Sequence, residues 1–432
     1  MYRRNLTLLS WLAFVISLGY GAIMGIIPYY MLYLVGELRE LPETLGTIGG
    51  AGSYAVEYGT LISAFMLTRA FLARYFGSLS DKVGRKRLIA SGSIMYVLLS
   101  LGYLLANSLN QLYLIRGLQG VASAMVWPVA EALLMDSTGS ERRGRAMAVY
   151  MVATNLAFIT GPALGVTAYK FGVFYLGIRD VERALKFPFL FLTLFSLLGL
   201  PAALLLKEPR VEPRSEILPS SQGGESEDRE VDPSVRRSIN AIYLMAVANG
   251  IAMGFSGPLM GLFVVQYVDA DPAALAAITT ISGLVGMLAA YPAGRLSDAV
   301  GRKAIVIAGG FASRVMTALI PIAKSVRDLT ALATARSVAF NSFQPVMRAL
   351  QADLVPESMR GKVFGTVQAA FNVGAVIGPI LGGYLYRSCQ GREIHILGAV
   401  LPGISVSFWI GSAIGMAALA VFALFVEERR RK

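Results

Sequence analysis

Glu131 stands in the run AMVWPVAEALLM and is the one charged residue between Arg116 and Asp136. A carboxylate in such surroundings is a candidate proton carrier, because a group that titrates inside an apolar barrier can load a proton on one side and release it on the other. The acids inside long apolar stretches are Glu57 and Glu131, and the bases are Arg69, Arg74, Arg116, Arg314, Arg336 and Arg348. Glu57 lies about one turn from the end of its stretch, within reach of water, which makes Glu131 the stronger candidate. Arg116 precedes Glu131 by 15 residues, about 22 Å along a helix. It either gates and couples a conformational step or serves as a hydrogen-bond hub for backbone carbonyls. Arg69, Arg74 and Arg314 are placed in the inner parts of their stretches and are expected to snorkel or to bind acidic loop ends.

Such groups need a scaffold that carries them in lipid. The 432 residues are 55% hydrophobic and 15% charged, with mean hydropathy +0.59, against about 25% charged for a soluble domain. Twelve windows are long enough to span a hydrocarbon core, at roughly 6–35, 54–76, 88–106, 111–135, 146–169, 187–206, 239–266, 273–293, 304–323, 329–352, 363–386 and 403–426. The first is too long for a signal peptide and reads as a retained helix. Of the 39 Lys and Arg residues, 24 fall on the side of the termini and 9 on the other, which predicts that both termini are cytoplasmic. The net charge of +12 is then a topology signal, and no nucleic-acid partner is expected. A single cysteine, Cys389, and a single histidine, His395, exclude a disulfide framework and the usual zinc or iron–sulfur ligand sets, so neither metal nor cofactor is expected. Residues 207–237 are polar and lack an apolar period, which predicts a cytoplasmic linker between an N-terminal bundle at 1–206 and a C-terminal bundle at 238–432. The segment 170–186 is expected to lie on the membrane surface.

The halves repeat. GSLSDKVGRK at 77–86 matches GRLSDAVGRK at 294–303 at eight of ten positions, a shift of 217 residues. The same shift carries Pro128 to Pro345, Asp136 to Asp353, and Gly161-Pro162 to Gly378-Pro379. Two six-helix bundles of one topology imply an axis along the membrane normal and a seam between them. The shift also carries Glu131 to Arg348, which predicts an acid and a base at matched depth across the seam. They either bridge the halves near the inner face when the molecule is open outward, or each pairs within its own half. Gln119 maps to Arg336, whereas Arg116 maps to Ala333, so the halves are not equivalent.

With these motifs the chain resembles the major facilitator superfamily over essentially its whole length outside the linker. That resemblance implies an all-α membrane protein of twelve helices in two pseudo-symmetric six-helix bundles. It also implies a secondary active transporter working by alternating access, and no enzyme. Gly77, Asp81, Gly84, Arg85 and Lys86, with Asp136 at the end of span 4, match the family's conformational latch. Gly294, Asp298, Gly301, Arg302, Lys303 and Asp353 repeat it in the second half. The alternative is that these are turn and topology residues only. Arg116, Gln119 and Gly120 resemble the family's R-x-x-Q-G pattern, and Gly161, Pro162 and Gly165 resemble the Gly-Pro motif of its drug:proton antiporters. Arg116, Gln119, Glu131, Arg336 and Arg348 are the coupling and gating candidates. Pocket candidates are Tyr20, Tyr29, Trp127, Asn155, Asn249, Phe255, Asn341, Phe343, Gln344, Gln368 and Asn372, each of which could equally be packing. The expected activity is proton-coupled efflux of small amphiphilic compounds by a monomer in the cell membrane, its partners being substrate, protons and the lipid bilayer. The alternative is a proton-coupled symporter for a sugar or organic anion.

Overall fold

A computed structural model describes residues 2–208, 233–355, 359–396 and 398–426. Twelve long helices run α1 (Tyr2–Leu34), α2 (Ala55–Val83), α3 (Arg85–Leu105), α4 (Leu109–Asp136), α5 (Arg143–Phe174) and α6 (Val181–Leu204), followed by α7 (Pro233–Phe263), α8 (Pro272–Val300), α9 (Arg302–Leu319), α10 (Val326–Leu354), α11 (Arg360–Ser388) and α12 (Ser405–Phe425). A two-stranded antiparallel hairpin, β1 (Glu393–Ile396) and β2 (Ala399–Pro402), links α11 to α12. Among the described residues ten helices, α7 being continued by a π-turn at Val264–Val268, are long and apolar enough to cross a membrane. Charged and uncharged polar residues keep α2 and α10 below that threshold. The face bearing Tyr2 and the end of α12 is called the terminal face below, and the opposite one the far face.

Local chemistry starts and stops these helices at repeat-related positions. Ser108 caps α4 by accepting from the Gln111 amide, and Ser325, 217 residues on, caps α10 by accepting from Asp328. Gly84 and Gly301 have φ of +103° and +107°, a region that glycine enters without strain, and they break α2 from α3 and α8 from α9 at the terminal face. The segment 170–186 is not a separate surface helix: α5 continues to Phe174 and α6 begins at Val181, capped by Asp180. The apolar residues there complete two spans.

Packing repeats with a step of six helices. In the first half α1 packs on α5 and α6, α2 on α4, and α3 on α4 and α6. In the second, α7 packs on α11 and α12, α8 on α10, and α9 on α10 and α12. The halves meet chiefly through α2 against α11 and α5 against α8, two crossings that exchange under the same step. Leu98 and Leu114 are more than half exposed, as residues facing acyl chains are.

Candidate functional site

Between described residues, every hydrogen bond and ion pair across the seam lies toward the far face. Ser63 on α2 donates to the Val376 carbonyl on α11 (2.6 Å), and Thr280 on α8 donates to the Ile159 carbonyl on α5 (3.2 Å). Beyond these crossings two ion pairs join the halves: Lys170 with Asp271 at 2.7 Å, and Arg387 with Glu57 at 3.4 Å. Loop backbone closes the rest, with the Ile48 amide on the Val265 carbonyl (2.9 Å) and the Ala270 amide on the Gly46 carbonyl (3.0 Å). No such bridges tie the described residues near the terminal face, where Arg69, Asn155, Arg348 and Gln368 are exposed. The seam is shut on the far face and open on the terminal face.

Glu131 is half-buried, about one and a half turns from the end of α4. The charges of Arg69 on α2 and Arg348 on α10 act on it, yet neither forms an ion pair with it. Buried Tyr150 on α5 feels the Glu131 and Arg69 charges in turn, and its ring lies edge-on to Trp127 at 6.4 Å. The second acid candidate from the sequence, Glu57, is occupied at the far gate by Arg387.

Arg116 is fully buried within the first half. It donates to Gln119 Oε1 (3.0 Å), to the Tyr20 hydroxyl (3.2 Å) and to the Leu61 carbonyl (3.5 Å), and its guanidinium lies beside the Tyr20 and Phe65 rings, 5.3 and 5.1 Å from their centres. Gln119 Oε1 accepts a second bond from Tyr103 (3.0 Å). This closed network holds α1, α2, α3 and α4 together without a carboxylate.

Arg314 corrects the sequence expectation. It lies 12 residues into α9, about 18 Å from its start, too deep to snorkel. It donates to the Gly310 carbonyl (2.7 Å) and to Asn249 Oδ1, and it lines a partly open cavity of about 190 Å³ in the second half together with Arg336, Phe340 and Phe343. Among the pocket candidates, Asn249 and Phe343 line this cavity. Asn341 donates to the Ser337 carbonyl (2.9 Å), and Gln368 donates to Asn372 (3.0 Å). Gln344 is half-buried on α10. Tyr29 and Phe255 are buried within helix packing, Phe255 against Gly382 and Gly411.

At the terminal face Arg85 pairs with Asp136 and, at 3.3 Å, with Asp81. Arg302 pairs with Asp353 and, at 3.9 Å, with Asp298, and it donates to the Ala349 carbonyl (3.0 Å). The Lys86 amide donates to Glu208 (3.1 Å). Each set ties a loop to span 4 or span 10 of its own half.

The Gly-Pro motif is a close helix crossing. A Cβ on Gly161 would come within 2.6 Å of the Gly21 Cα, and one on Gly165 within 2.1 Å of the Ala22 carbonyl oxygen. Gly374 and Gly378 approach α7 in the same way, at 2.2 Å from the Val247 oxygen and 2.6 Å from the Ile251 oxygen. Gly165→Ala is therefore expected to lower the thermal unfolding midpoint in detergent, by overpacking worth about 1–3 kcal/mol. Gly144→Ala, at a site with nothing within 4 Å, should leave it unchanged or raise it.

Residues 9–237 and 242–432 match the family model described as Major Facilitator Superfamily. The chain belongs to that superfamily. It is thus a multi-pass membrane transporter of small molecules, not an enzyme. It is similar to "Multidrug resistance protein 2" of Bacillus subtilis, 25% identical over 86% of each chain, and to "Quinolone resistance protein NorA" of Staphylococcus aureus, 21% identical over 91% of each. Among solved structures, a nucleoside transporter, NupG, superposes with a TM-score of 0.66 at 13% identity, over 98% of this chain and 100% of its own. A bacterial homologue of the human lysosomal transporter Spinster superposes with a TM-score of 0.67 at 15% identity, over 100% of this chain and 99% of its own. These two show the shared superfamily fold.

The far gate was missed by the sequence reading. Lys170, Asp271 and Arg387 lie in connections or helix ends, where a charge looks like ordinary solvated surface. Only Asp271 carried a local signal, as a cap residue ahead of Pro272, and that signal concerns α8 rather than the seam.

Proposed function

We propose that this superfamily member exports small amphiphilic compounds across the cell membrane in exchange for protons, with both termini cytoplasmic and the monomer as the working unit. The carrying observation is that Glu131, half-buried on α4, stands without an ion-pair partner among the described residues in the open part of the seam while the far side is shut. The excess of Lys and Arg on the terminal side makes that opening cytoplasmic. The names of the relatives point toward drug efflux. Residues 1–206 and 238–432, joined by the 207–237 linker, rock as two bodies around the seam between them. When the cleft closes inward, Glu131 and Arg348 approach and bridge. Protonation of Glu131 removes that bridge and favours the inward-open form. Arg85 and Arg302, with Asp81, Asp136, Asp298 and Asp353, latch the cytoplasmic loops, while the Arg116–Gln119 network holds the first half together as it moves and Arg336 faces the cavity of the second.

Everted membrane vesicles acidified inside test this reading, with ethidium as the probe. Energised vesicles containing the carrier should accumulate the dye, and a protonophore should release it. Dye or sugar moving with the proton, rather than against it, would establish the symporter instead.

A further inference from the structure

The cavity of the second half holds more positive charge than the fold uses. Arg314 is 7% exposed, and two of its nitrogens meet neutral acceptors, Gly310 O and Asn249 Oδ1, while its Nε is buried without any partner. Arg336, facing the same space from α10, has no hydrogen bond or ion pair among the described residues. Among the described residues, the carboxylates of the second half stand at helix ends, in connections or in the hairpin, as Asp271, Asp298, Asp328 and Asp353 do, and none lines the cavity. Two guanidiniums in one apolar-walled cavity, Arg314 buried and Arg336 half-buried, are costly unless an anion meets them. The first half shows the contrast, because Arg116 is enclosed by its own acceptors and two aromatic rings.

We infer that this cavity takes the anionic head of an amphiphilic substrate, a carboxylate or sulfonate, with Arg314 and Arg336 holding the charge and Phe340 and Phe343 receiving the adjoining apolar group. A planar fork on each arginine suits an oxyanion, and hydrogen bonds to charged groups are the strong ones. The 190 Å³ available exceeds the roughly 150 Å³ of a cavity that admits benzene, so a head and one ring fit while a larger body extends outside. The inference rests on the export reading and adds amphiphilic organic anions to the substrates that reading gives the carrier.

Three probes sharing one fused two-ring group test it: naphthaleneacetate, naphthaleneethanol and naphthaleneethylammonium, titrated calorimetrically against the purified full chain. The acetate should bind at least about ten-fold more tightly than the other two. Arg314→Gln and Arg336→Gln should each weaken acetate binding by about ten-fold while leaving the alcohol unchanged, and Arg336→Lys should restore part of the loss. Equal binding of all three probes by the unaltered protein overturns the inference, and that comparison does not depend on any variant folding. A preference for acetate that survives in the double Arg→Gln variant also overturns it. Two competitors separate the sources of an anion. Displacement of the acetate by equimolar inorganic phosphate would make this a bare-anion site, and displacement by phosphatidate alone a lipid site, each against the inference. Ethidium export in vesicles is read in parallel: if it persists while acetate preference is absent, only the anion assignment falls. If acetate binds but no dye is exported, the export reading falls instead.

Discussion

Glu131→Gln should leave a folded carrier that equilibrates ethidium across the membrane but no longer concentrates it. One exchanged proton across a difference of two pH units corresponds to about a 100-fold concentration ratio, and the variant should bring that ratio to about one. Glutamine keeps the shape and most of the hydrogen-bonding capacity of the acid, so an effect of this size reports the proton and not the packing. The Arg69 and Arg348 charges reach Glu131 from α2 and α10, and Tyr150 borders it from α5, so loss of its charge alters the balance on three elements at once. Glu57→Gln is the informative comparison. Its pair with Arg387 is at the far surface, where such pairs contribute about 0–1 kcal/mol, so coupling should persist with at most a modest change in rate. Uphill accumulation undiminished in Glu131→Gln would remove the residue from the coupling step.

What could be read from the chain alone follows from how far each interaction reaches along it. The 217-residue shift exposed the duplicated latch loops because glycine with positive φ, an arginine and an acid recur at fixed spacing, and each acts on residues close in sequence or at the end of a neighbouring span. Twelve spans were legible because lipid demands about 20 apolar residues wherever a helix crosses. The hairpin between α11 and α12 left no such mark, since each of its strands is four residues long. The site was legible only in its parts. Periodicity places Arg314 on a helix, but whether that side faces lipid, loop acids or a cavity depends on α7, which contributes Asn249. Tyr29 looked like a pocket residue for the same reason, whereas its neighbours enclose it completely.

The α2–α11 crossing makes the second large prediction. A Cβ on Gly59 would lie 2.2 Å from the Pro379 oxygen, and one on Gly383 2.3 Å from the Ala55 oxygen, both against backbone that cannot yield as a flexible side chain can. Alternating access requires this crossing to part when the far side opens. Gly383→Leu or Gly59→Leu therefore penalises the state with the far face shut and spares the other. Overpacking of about 1–3 kcal/mol changes the ratio of the two states by roughly 5- to 150-fold. Accessibility to a membrane-impermeant maleimide reads the shift. The natural Cys389 is first replaced by serine, leaving an otherwise cysteine-free chain. Ser63→Cys, at the crossing, should then label several-fold faster from the far side in the Gly383→Leu background, while Arg69→Cys, in the open terminal cleft, labels more slowly from its own side. Opposite movement of the two sites is the signature of a displaced equilibrium. A rise at both would mean loosened packing, and no change at either would show that the halves do not need this close approach to shut the far face.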